Sequence, residues 1–134
     1  MAYQAKRVVQ VKFTAPDSPG LLARVLRELR DAGIGLLTLA AWGHQGQAVF
    51  VAIPEELNKA RELAMREGVS LEEQPAIYIE GDNETGALVP ATEALASAGI
   101  NLLAAVAIAA GDRYGAVLVP EEAKYEEACK ALGI

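Results

Sequence analysis

Most kinds of chemistry find little to work with in this sequence. A single cysteine, Cys129, in 134 residues excludes an intramolecular disulfide framework and a paired-thiol metal site, and fits a reducing compartment. The single histidine, His44, falls at an expected hairpin tip, where it reads as an exposed loop residue rather than a catalytic base. Aromatic residues make up 5% of the chain, so the aliphatic strands offer no stacking platform for RNA. A formal net charge of −6 leaves no basic face for a nucleic acid or an anionic membrane. The longest apolar run, Leu102 to Ala110, is far short of the ~20 residues a membrane span needs. Residues Met1 to Arg7 contain no apolar signal segment. A soluble, cytoplasmic, non-enzymatic protein with no metal and no cofactor is expected.

What is present is core-forming. Apolar residues make up 52% and charged residues 22%, enough to bury a core. Residues 7–14 alternate, with Val9, Val11 and Phe13 on one side and Gln10, Lys12 and Thr14 on the other, as in a half-buried strand. Asp17 is placed to cap the helix that follows, and Pro19 suits its first turn. Leu21, Leu22, Val25, Leu26 and Leu29 recur at helical spacing, and Gly33 stops the helix. Arg24, Arg27 and Arg30, with Glu28 and Asp31 at i+4 from the first two, read as a solvated, salt-bridged face.

Residues 34–42 are nearly all apolar and turn through a tip at Gly43-His44-Gln45-Gly46 into a returning strand, 47–53. Pro54-Glu55-Glu56 opens a second helix with Leu57, Ala60, Leu63 and Ala64 on its inner face. Gly68 ends it, and Val69 to Glu73 reads as a short, polar last strand. The order is βαββαβ.

The pattern then restarts. A constant spacing carries Gly20, Leu29, Gly33, Ile34 and Leu36 onto Gly86, Leu95, Gly99, Ile100 and Leu102, and Asp17 onto Asn83. An ungapped repeat of this length means one architecture used twice, here residues 1–73 and 74–134. Units of about 65 residues are marginal alone, so they should pack on each other or on another chain. The second unit has no counterpart of the fourth strand, which leaves an edge at residues 75–80 that another strand should cover, from the first unit or a second chain. Residues 36–42 and 102–110 are apolar on both faces, which favours a homodimer or higher oligomer. Trp42, whose counterpart is Ile108, reads as an apolar strand-end or interface residue. Pro90 lies where a helix starting at Gly86 would be crowded, so the second unit's helix should start near Val89 or Pro90 after a longer loop.

The βαββαβ order, the Asp17-Ser18-Pro19-Gly20-Leu21-Leu22 loop and the Ala32-Gly33-Ile34-Gly35-Leu36 step together resemble the ACT domain. Nearly the whole chain is similar to the short, stand-alone tandem ACT proteins, although Asn83-Glu84-Thr85-Gly86 lacks the proline. The resemblance implies an α+β fold of two ferredoxin-like units, with antiparallel sheets and helices on one face. It also implies a regulatory module for an amino acid or similar small metabolite, bound where ACT units meet. Carried over residue by residue, the binding positions are Asp17, Ser18, Pro19, Gly20, Leu21, Leu22 and Gly35. In the second unit they are Asn83, Glu84, Thr85, Gly86, Ala87, Leu88 and Asn101. Serine-binding ACT domains carry asparagines at the positions of Asn83 and Asn101, so the resemblance implies that the second site is the better candidate for an amino-acid carboxylate. A metabolic enzyme is the partner such a module would regulate. The open alternative is a ligand-free subunit that only holds an enzyme or itself in an oligomer.

Overall fold

The computed structural model describes residues 3–134. In chain order the elements are β1 (Tyr3–Pro16), α1 (Leu21–Asp31), β2 (Leu36–His44), β3 (Gln47–Pro54), α2 (Leu57–Glu67), β4 (Glu72–Asp82), α3 (Val89–Ser97), β5 (Leu102–Ala110), β6 (Arg113–Pro120), a 3-10 turn at Glu122–Lys124, and α4 (Tyr125–Ala131). The hydrogen-bonded strand order is β2-β3-β1-β4-β6-β5. The βαββ pattern is thus run through twice in an α+β, ACT-like fold.

The residues gather into two compact units. The first is Val9–Glu73; the second joins residues 3–8 to Gln74–Ile134. Strand β1 is longer than its alternation predicts because its start belongs to the second unit. Tyr3 and Ala5 enter that unit's core, and β1 lies beside β4 in the sheet. The edge at residues 75–80 is therefore covered from within the chain, by residues that precede the first unit's own strand. The separate last strand expected at residues 69–73 and the strand expected at 75–80 are instead one strand, β4, that begins at Glu72.

Repetition reaches the backbone bonds. In the first unit β3 pairs antiparallel with β1, Val11 opposite Ala52 and Phe13 opposite Phe50. In the second, β6 pairs antiparallel with β4, Ile77 opposite Leu118 and Ile79 opposite Ala116. Both helix exits close alike: Ile34 donates to the Leu29 carbonyl and Ile100 to the Leu95 carbonyl, each at 2.9 Å. β2 starts at Leu36, two residues later than the apolar run from Ile34 suggests, because Ile34 is buried in the connection, whereas β5 starts at Leu102, where its apolar run begins.

Packing separates the copies. The second unit's core is closed: Ile77, Ile79, Ala91, Ala128 and Cys129 are fully buried, and Leu95 and Leu118 nearly so. Tyr125 packs against this core and its hydroxyl donates to the Ala76 carbonyl at 2.9 Å. Burial, reinforced by a hydrogen bond with Cys129, pushes the Tyr125 hydroxyl up to about 12. The first unit buries a smaller set that includes Val11, Leu21, Ile34, Phe50, Ile53 and Ala60, with Phe13 stacked on Phe50 at a centroid distance of 4.7 Å. Trp42 of β2 and Leu103, Val106 and Ile108 of β5 are exposed, and Leu39 of β2 is partly exposed where it borders α1 and α2.

The salt-bridged face expected on α1 does not form. Among the described residues, Arg24, Arg27 and Glu28 make no ion pair, and Asp31 pairs with its neighbour Arg30 at 3.1 Å. The firm ion pairs lie elsewhere: Arg61 holds Glu73 in a two-pronged contact at 2.7 Å, and Arg7 holds Glu126 at 2.8 Å. The Arg61 guanidinium, by donating to Glu73, keeps that carboxyl below its usual range.

Candidate functional site

Both loops before the first helix of each unit are built on the same three backbone features. Asp17 donates its amide to the Gly46 carbonyl at 2.9 Å, and Asn83 donates to the Asp112 carbonyl at 2.8 Å, which ties each loop to the hairpin tip of its own unit. Next, Leu21 donates to Ser18 and Ala87 to Glu84, forming one tight turn. The turn is reached through a left-handed glycine, Gly20 at φ 83 and Gly86 at φ 76, a conformation that a side chain opposes.

Asp17 does not cap α1. Gly20 holds the N-cap position and the helix has no side-chain cap bond. The Asp17 carboxylate instead reaches toward β2, where its Oδ2 lies 3.0 Å from the point a Cβ on Gly43 would occupy. A loop that folds back on the hairpin tip carries its first residue away from the helix axis, which is why the expected cap is lost. Asn83 behaves in parallel, its Nδ2 donating to the Gly111 carbonyl at 3.4 Å. Among the described residues its amide oxygen accepts no hydrogen bond and stays open as an acceptor. As the position of Pro90 predicts, α3 begins at Val89, and the second loop is longer than the first.

Side chains divide each loop into an anchored and a presented part. Leu21 is buried in the first unit, and Ala87 and Leu88 pack on the second unit's core. Asp17, Ser18, Pro19, Gly20 and Leu22 are exposed, as are Asn83, Glu84, Thr85 and Gly86. Among the described residues the amides of Thr85 and Gly86 make no hydrogen bond, so they are free to donate to a carboxylate.

The positions before β2 and β5 stand apart from these loops. Gly35 and Asn101 follow the far ends of α1 and α3, helices of 11 and 9 residues, about 16 and 14 Å long at 1.5 Å per residue. Asn101 is exposed. Gly35 carries the Glu55 side chain against it, with Glu55 Oε2 2.7 Å from where a Cβ would sit, while Glu55 donates its amide to the Gly35 carbonyl at 2.8 Å. Each unit therefore gathers Asp17–Leu22 or Asn83–Leu88 at one end of its helix and places Gly35 or Asn101 at the other.

Two features escape the sequence reading. The hairpin tips that hold the loops, at Gly46 and at Gly111-Asp112, act through carbonyls. The repeat spacing that sets Gly46 opposite Asp112 is the one signal that points to them. Tyr114 of β6 is the other. It is buried in the second core, and its hydroxyl has no hydrogen-bond partner among the described residues. Burial raises that hydroxyl's pKa; the neighbouring Tyr3 and the Glu84 charge add to the shift. Its counterpart in the first unit is Ala48, a contrast visible in the sequence though silent about hydrogen bonding.

No family model matches the chain, and no curated protein sequence matches it. Solved structures do. Protein BT0572 from Bacteroides thetaiotaomicron superposes with a TM-score of 0.80 at 20% identity, over 94% of this chain and 88% of that one. Aspartokinase alpha and beta subunits give 0.67 at 16% identity, over 98% and 95%. The regulatory subunit of aspartate kinase from Thermus thermophilus, in its ligand-free form, gives 0.61 at 17% identity, over 93% and 90%. At these identities the likeness concerns the fold.

Proposed function

We propose that this chain is a non-enzymatic regulatory protein that binds an amino acid or similar small metabolite through its loop residues and acts as a homodimer. The carrying observation is the pair of loops, built on matching backbone bonds at the same place in both copies, in a fold shared with a regulatory subunit of aspartate kinase. The copies, 1–73 and 74–134, are read as two ACT units. Loop and strand-start positions stand at opposite ends of a helix within a unit, so a ligand touching both kinds of position would sit where a unit of one chain meets a unit of a second copy. Asn83 and Asn101, with the free amides of Thr85 and Gly86, form the better carboxylate-binding set. In the first unit Asp17 opposes a carboxylate and favours an ammonium group. Ligand would change the packing of one unit on another, and a partner enzyme would read that change.

A thermal-shift and calorimetric screen of the standard amino acids and their biosynthetic relatives tests this. At least one compound should stabilise the protein saturably, by RT ln(1 + [L]/Kd). Asn83→Ala or Asn101→Ala should weaken that response while leaving the unliganded melting temperature near wild type. The exposed apolar residues Leu103, Val106 and Ile108 favour a second reading, a ligand-free subunit that binds itself or an enzyme. Absence of any response in the screen would select it.

A further inference from the structure

The two copies share strand register, helix exits and loop bonds, yet only the second closes the space between its helices and its sheet. In the first unit that space is a cavity of about 360 Å³. Its floor is the stacked pair Phe13 and Phe50, and its roof is Val25 and Leu29 of α1 with Leu63 and Ala64 of α2. Arg24, Glu28 and Glu67 supply the charged side chains of the lining among the described residues. Among the described residues none of the three makes an ion pair, although Arg24 and Glu28 are one helical turn apart.

Specific substitutions keep the space open. Counting back from the helix-ending glycines Gly68 and Gly133, Ala60 stands where the second unit has Tyr125, and Glu67 where it has Leu132. Tyr125 packs against the second core and Leu132 lies within it. Tyr3 and Ala5 also enter that core from the start of β1, whereas residues 68–71 of the first unit form no strand over the matching flank. A cavity in a core costs stability in proportion to its volume, and apolar cavities readily take up apolar molecules. At about 360 Å³ the space falls within the range of small-molecule pockets.

We infer that the first unit holds a small molecule with an apolar body in this helix–sheet cavity, its head at the Arg24–Glu28–Glu67 rim. Two carboxylates against one guanidinium leave the rim negative by one charge, so a neutral or cationic head is accepted and a lone carboxylate is disfavoured. The site shares only the buried Leu21 with the first loop and holds whether or not the loops bind a metabolite.

Three probes with one hydrocarbon chain and different heads, 1-octanol, octylamine and octanoate, test the inference by NMR titration of the full chain. Octanol and octylamine should give saturable, one-to-one shifts of the Phe13 and Phe50 ring signals, with intermolecular NOEs to those rings, and octanoate should bind several-fold more weakly. Ala60→Tyr and Glu67→Leu, which install the second unit's residues, should each abolish the shifts while raising or preserving the melting temperature. If either variant fails to fold, the NOEs on the wild-type protein decide. No saturable shift, NOEs confined to Leu103, Val106 and Ile108, or tighter binding of octanoate would overturn the inference. Release of a self-associated form by octanol would also overturn it, because a side chain of a second copy would then be the occupant.

Discussion

The same substitution at repeat-equivalent leucines should carry very different costs. Leu95 of α3 is 1% exposed and surrounded by the closed core of the second unit, whereas Leu29 of α1 is half-buried and borders the first unit's cavity. Truncating a fully buried leucine to alanine removes its transfer free energy and leaves a void, so Leu95→Ala should cost about 3–4 kcal/mol. Leu29 has only part of its surface to lose, and the three heavy atoms removed bring about half of ~2.4 kcal/mol, so Leu29→Ala should cost about 1–1.5 kcal/mol. The chain supplies separate reporters. Trp42 is the only tryptophan and lies in the first unit, while the four tyrosines, Tyr3, Tyr78, Tyr114 and Tyr125, all lie in the second. Urea titration followed by tryptophan and by tyrosine fluorescence therefore reads the two transitions on one sample. Leu95→Ala should move the tyrosine transition by more than twice the shift that Leu29→Ala gives on tryptophan. Equal costs, or a larger cost at Leu29, would refute the account of one closed and one open core.

Further outcomes follow from the geometry. Gly20→Ala and Gly86→Ala should each cost about 1–2 kcal/mol by urea titration, because both residues hold a left-handed φ that a Cβ opposes, although the added Cβ meets open space at Gly20 and only an ordinary contact with Val89 at Gly86. The Tyr125 hydroxyl is raised to about 12 by burial and Cys129, so its neutral form is the folded one: stability is complete below about pH 10 and falls as pH rises from there toward 12. Tyr125→Phe should remove part of that alkaline loss and cost about 1 kcal/mol at neutral pH through the missing bond to Ala76, both read by urea titration across pH. Ile108→Glu places a charge on the exposed apolar face of β5, and under the homodimer proposal light scattering should show a shift toward monomer; unchanged mass would move the dimer contact elsewhere.

Where backbone geometry follows from residue type, the sequence is a good guide. The exits at Gly33 and Gly99, the displaced start of α3 at Pro90 and the repeat itself all rest on glycine, proline and apolar spacing, whose effects are local. Asp17 shows the limit. An aspartate before a helix is a cap when the chain runs straight into the first turn, but a bond from its own amide to Gly46 turns it toward Gly43 instead, and that bond is set by a hairpin nearly thirty residues away. The destination of residues 3–8 is hidden for the same reason. Alternation marks a strand and its faces without saying which neighbour its two ends take, so the coverage of residues 75–80 was legible as a need and not as a source. The Arg24–Glu28 spacing likewise permits an ion pair, whereas the structure turns both residues to a cavity that no local pattern foretells.

What the copies conserve and what they vary then separate by physical kind. The shared features are backbone hydrogen bonds, Asp17 to Gly46 with Asn83 to Asp112 and Leu21 to Ser18 with Ala87 to Glu84, and these survive any side chain that tolerates the turn. The differences are in side-chain volume and charge: Asp17 against Asn83, Gly35 against Asn101, Ala60 against Tyr125, Glu67 against Leu132. A frame fixed by backbone bonds lets two sites diverge without either unit losing its fold. On that reasoning the loop of the second unit, with neutral amides and a closed core behind it, is suited to hold a carboxylate rigidly. The first unit, with an anionic loop and an open core, is by the same inference the one that binds inside the helix–sheet layer. Grafting Asn at positions 17 and 35 should therefore leave the first unit's apolar binding intact while removing the loop's charge. A double variant, Asp17→Asn with Gly35→Asn, checks this directly: octanol shifts at Phe13 and Phe50 that persist would support the separation, and their loss would show that loop and cavity are one site.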